Sequence, residues 1–190
     1  MIENNERSTN RNNGQAPPMN TVKTPLNQRQ DQELSSSQEI HLSWRDVPAG
    51  IIELLDSFPY EDNFKITIHN LKEGNTLLDR LKKHSVKYQE CYLSKSLYYF
   101  INRDYDISVK ALKRSMMYYR VSRFTKQTQD AAHRSVRTYF YCLVLQGVIH
   151  YIRGCYRKAR RSLLKSGSLE HHQAVLEFIS LIDHIRSRKQ

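Results

Sequence analysis

Residues 96–115, SLYYFINRDYDISVKALKRS, and residues 147–166, GVIHYIRGCYRKARRSLLKS, make the same physical demands in the same order. Ser96, Tyr99, Tyr105, Ser108, Leu112 and Ser115 stand at the spacing of Gly147, His150, Tyr156, Ala159, Leu163 and Ser166, which lie 51 residues further on. Two helices cross closely only where side chains are small, and an aromatic just past the connecting turn wedges the pair into one angle. Each stretch therefore predicts a helix, a tight turn and a return helix. The turns fall at Asn102, Arg103 and Asp104 in the first stretch and at Gly154 in the second.

Working outward, apolar residues at helical spacing predict a helix from about Ser85 to Asn102 that returns over Tyr105–Tyr119. A polar segment from Ser122 to Gln129 ends at Asp130, a suitable cap for a long helix running to Ile152. Tyr156–Lys165 is its partner, Ser166-Gly167-Ser168 reads as a turn, and Leu169–Arg188 reads as an amphipathic closing helix. Upstream, Asp46 and Pro48 start a short apolar helix through Phe58. Leu77, Leu78 and Leu81 share one face of another helix beginning near Asn75. Between them Lys65–His69 alternates like a strand, and with no partner strand in sight it predicts extended loop or irregular helix. Residues 1–45 are rich in Asn, Gln, Ser, Thr and Pro and lack periodicity, so they predict a disordered tail ahead of one helical domain over 46–190.

The paired pattern resembles tetratricopeptide repeats, with repeat-like units at about 89–119 and 140–167 and a capping helix at 169–188. Departures are plain: the spacing is 51 residues rather than the usual 34, Arg103 replaces the turn glycine, and Arg120 and His171 stand where each unit would end in proline. Two units and a closing helix are also similar to the cytosolic domain of the mitochondrial fission adaptor family. That family carries a carboxy-terminal membrane anchor, whereas this chain ends in Arg186-Ser187-Arg188-Lys189-Gln190, so the likeness bears on architecture and not on location. The resemblance implies an all-α fold of stacked hairpins that binds another protein in a groove. It places Leu93, Leu97, Phe100 and Ile101 in that groove from one unit, and Tyr141, Val144, Val148 and Tyr151 from the other. Repeats that clamp a chaperone's terminal carboxylate present Lys, Arg and Asn at such positions, so an apolar or amphipathic segment is the expected guest. The other possibility is that these residues are core, covered by the helix at Asp46–Phe58.

Charge offers a second surface. Of the net +11, the region 86–167 holds seventeen Lys or Arg against four acids. Arg153, Arg157, Lys158, Arg160, Arg161 and Lys165 form one run, and Lys110, Lys113, Arg114, Arg120, Arg123 and Lys126 form another. Tyr118, Tyr119 and Tyr156 lie among them, so RNA or DNA binding by an accessory subunit is the alternative function. Catalysis finds no footing, since no nucleophile elbow, phosphate-binding glycine loop or paired carboxylates occur. Adjacent histidines in Glu170-His171-His172 would diverge on a helix, so neither metal nor cofactor is expected. Cys91, Cys142 and Cys155 are odd in number and lack C-x-x-C spacing, which predicts reduced thiols. No run approaches the roughly 20 apolar residues of a membrane span and the amino terminus has no apolar leader, so an intracellular protein, cytoplasmic or nuclear, is expected. The sequence thus predicts a non-catalytic adaptor subunit of a larger complex.

Overall fold

The computed structural model describes residues 46–125 and 127–188; the tail expected at 1–45 lies outside the described residues. Among these are eight helices and no strand: α1 Ala49–Asp56, α2 Phe64–Lys72, α3 Leu77–Lys83, α4 Ser85–Ile101, α5 Tyr105–Ser122, α6 Gln129–Ile152, α7 Tyr156–Gly167 and α8 Gln173–Ser187. The fold is all-α. Helices α4 and α5 form one hairpin and α6 and α7 a second, with α4 and α5 both packed on α6 and α7 on α8. Helix α2 lies along α4, α3 touches α4 and α5, and α1 rests on α8 and α6. Buried on nearly every side from Thr138 to Ile152, α6 is the central helix, as its apolar composition requires.

The sequence repeat is a backbone repeat. Asn102 and Arg153 cap their helices with φ/ψ of −78°/9° and −80°/10°, and Arg103 and Gly154 follow at φ 63° and 67°. The Asp104 N–H donates to the Tyr99 carbonyl at 2.8 Å and the Cys155 N–H to that of His150 at 2.8 Å, which closes the same six-residue cap in both hairpins. At the crossings the small residues do what their size permits. The Ser96 hydroxyl donates to the Ser108 carbonyl and the Ser108 hydroxyl to that of Ser96, both at 2.9 Å. In the second hairpin a Cβ placed on Gly147 would lie 2.7 Å from Leu163 Cγ. The two turns sit side by side, tied by Arg153 Nη2 donating to Asp106 Oδ1 at 2.8 Å.

Four local expectations need correction. Lys65–His69 lies in α2, where Phe64 and Ile68, one helical turn apart, are buried while Ile66 between them is 60% exposed. Leu77 and Leu78 do not join Leu81 on an inner face: they are 64% and 57% exposed, and Leu81 alone packs against Phe64, Ile68 and their neighbours. Thr128, rather than Asp130, caps α6 by accepting from the Ala131 N–H. Helix α7 continues through Ser166 and Gly167, so the following turn moves on and α8 begins only at Gln173.

Candidate functional site

Of the eight positions expected to line a groove, seven are buried and only Ile101 is exposed. The same core cluster contains Ile51, Leu54, Leu55 and Phe58 of the α1 segment. The Phe58 ring lies 5.1 Å from that of Tyr141, the hydroxyls of Ser57 and Tyr141 are 3.0 Å apart, and Tyr151 meets Phe178 of α8 at 4.9 Å. An open groove along both units is therefore not what this chain presents. An uncovered apolar stripe of that length would leave several large side chains in water, at about 1.5–3 kcal/mol each, and α1 and α8 remove that cost.

What stays open is the end of that stripe. Leu97 and Ile101 border a cleft of about 300 Å³ whose other walls are Leu55, Phe58 and Tyr60, with Asp56, Tyr98 and Asn102 completing it. Ile101 is 65% exposed, Tyr98 40% and Tyr60 37%. The cleft lies between the last turn of α4 and the segment from Leu55 to Tyr60 that ends α1 and follows it.

The cations divide by what they touch. Arg153 is engaged by Asp106, and Arg160 Nε donates to Asp183 of α8 at 2.7 and 3.0 Å, so both brace the helices. Arg157, Lys158 and Arg161 are exposed with no acidic partner among the described residues, as are Lys110, Lys113, Arg120 and Arg123 on or after α5. Lys165 Nζ lies 5.4 Å from the Tyr139 ring centroid and the Arg114 guanidinium 5.6 Å from that of Tyr92. Lys126 lies outside the described residues. The interleaved tyrosines face inward: Tyr118 stacks on Tyr88 at 4.9 Å, Tyr119 on Tyr139 at 3.9 Å, and Tyr156 is half-buried against Tyr151. A second cleft, of about 520 Å³, is lined by Lys82, Lys83, Lys87 and Arg134 among others. Three of those cations are already held, by Asp79, Glu61 and Glu90 respectively.

Nucleophilic chemistry has no ready group in the cysteines of the core. Burial pushes both the Cys91 and Cys142 thiols up to about 12, in Cys91 with help from the Glu61 carboxylate beside it. Cys155 is half-buried and all three are unpaired. His171 and His172 precede α8 rather than lying on it, and no group of three His, Cys, Asp or Glu among the described residues could hold a metal ion. No described helix is long and apolar enough to cross a membrane. Sequence reasoning missed Glu61, whose carboxylate receives hydrogen bonds from the Thr67 hydroxyl, Lys87 Nζ and the Cys91 thiol at 2.6, 2.7 and 3.2 Å. Burial works to raise its pKa, and those three donors outweigh it and hold the group below the usual carboxylate range. No local signal marks a loop residue whose partners come from two separate helices, Thr67 from α2 and Lys87 and Cys91 from α4. No family model, curated protein or solved structure matches the chain.

Proposed function

We propose that this chain is a non-catalytic helical-hairpin adaptor that anchors an apolar side chain, or a short apolar segment, of a protein partner within a larger assembly. The carrying observation is the cleft beside the last turn of α4, where Leu55, Phe58 and Leu97 form an apolar floor and Ile101 and Tyr98 stand exposed beside it. Its size suits one or two side chains rather than a whole helix. Protein interfaces concentrate their energy in a few anchors of this kind, seated in small apolar recesses near a polar surround. Asp56 and Asn102 supply that surround.

Affinity capture with the full chain tests this reading, run beside an Ile101→Glu variant after nuclease treatment of both samples. Ile101 is largely exposed, so the variant should keep the parent's circular dichroism and melting temperature. The expected result is a defined set of proteins held by the parent and lost by the variant, with Kd for a purified member rising about tenfold or more, a change of roughly 1.4 kcal/mol. Equal retention of every captured protein by Ile101→Glu would remove the cleft as the binding site.

A further inference from the structure

We propose that the outer faces of α5 and α7 together form a docking surface for the phosphate backbone of a nucleic-acid duplex, recognised without regard to base sequence. Helix α5 exposes Lys110, Lys113, Arg114 and Arg120, and α7 exposes Arg157, Lys158, Arg161 and Lys165. The one carboxylate exposed on either helix is Asp106, and Arg153 occupies it. The two helices run in the same direction and are tied together through α6 at both ends. At their starts the tie is the Arg153–Asp106 pair; at their ends Lys165 rests on the Tyr139 ring, which stacks 3.9 Å from Tyr119 of α5.

The cations also follow the repeat. Lys110 and Arg161 are equivalent positions, and so are Arg114 and Lys165, each of which lies over a tyrosine ring. A ring beneath a cation holds its position without neutralising its charge. A one-sign surface of this kind, in a chain of pI about 9.6, is the electrostatic footprint of phosphate binding.

One absence favours the duplex. No aromatic side chain within α5 or α7 is exposed, so single-stranded bases find no stacking platform on the two helices themselves; the exposed Phe124 stands beyond the end of α5. The surface shares no residue with the cleft at the end of α4.

The test is fluorescence anisotropy of the full chain against a labelled mixed-sequence DNA duplex of about 20 base pairs, its separate strand, and polyglutamate. If five phosphates are neutralised, log affinity should fall with log salt at a slope of about −4.5, or about 500-fold over a fourfold rise. Neutralising three cations with Lys110→Gln, Arg157→Gln and Arg161→Gln should bring the slope to about −1.8, roughly 12-fold over the same range. A charge-matched control, Lys72→Gln, Lys82→Gln and Arg188→Gln, should keep the parental slope. All six positions are exposed, and circular dichroism checks that both triples remain folded. Absence of duplex binding at about 50 mM salt overturns the proposal. So do equal losses in the two triples, tighter binding of the single strand, or polyglutamate binding as tightly as the duplex, the last of which would identify an acidic polypeptide as the partner.

Discussion

Arg103 holds a backbone conformation that suits glycine. Its φ of 63° lies in the left-handed region, where an L side chain costs about 1–2 kcal/mol. The equivalent residue in the second hairpin is Gly154, at φ 67° with open space around it. Because the two turns share their dihedral angles and hydrogen bonds, one residue's cost can be read against the other's. Arg103→Gly should raise stability by about 1 kcal/mol in urea unfolding, and Gly154→Ala should lower it by a similar amount. Opposite signs of comparable size are the expected pattern. A loss on Arg103→Gly would mean that the arginine side chain makes an interaction worth more than the backbone strain.

At the scale of elements the hairpins close by two different chemistries. Ser96 and Ser108 meet through reciprocal hydrogen bonds in the first, while the second brings Gly147 against Leu163 with no room for a methyl group. Leu163 is fully buried, and its Cγ is a branch point close to the backbone, so it cannot swing aside as a flexible chain end could. Gly147→Ala therefore sets about 1 kcal/mol of helix propensity against overpacking of about 1–3 kcal/mol. The net expectation is destabilisation of about 1–2 kcal/mol, measured by thermal or urea melts; a stabilised variant would show the crossing to be looser than 2.7 Å implies. Both crossings were legible in the sequence, because small residues at matched helical spacing have few other uses. Helix α2 was not, since Ile66 and Ile68 alternate with polar neighbours. The helical signal there was the spacing of Phe64, Ile68 and Leu71.

For the molecule as a whole, Glu61 joins the segment after α1 to α4, and acid should loosen that joint. Its carboxyl titrates below its ordinary value of 4.5 in the folded chain, so protons bind the unfolded state first as pH falls. The contribution is complete above about pH 4.5 and is lost as pH drops through the lower folded value. Urea melts of Glu61→Gln should show less stability than the parent at pH 7, with the difference shrinking below pH 4.5; a constant difference would assign the effect to packing. By itself the sequence determined the helical class, the two hairpins, the positions of their turns and the uneven charge, because each depends on residues within about a helical turn or a repeat of one another. The tertiary structure alone decided the fate of the apolar stripe on α4 and α6. Its periodicity is the same whether a partner or α1 covers it, and only the gathering of α4 and α6 with α1, α8 and the return helices into one cluster made seven of those eight positions core while leaving Ile101 in water. It likewise decided which cations are spent on Asp106 and Asp183 and which have no acidic partner among the described residues, because residues distant in the chain become ion-pair partners only once the helices are in place.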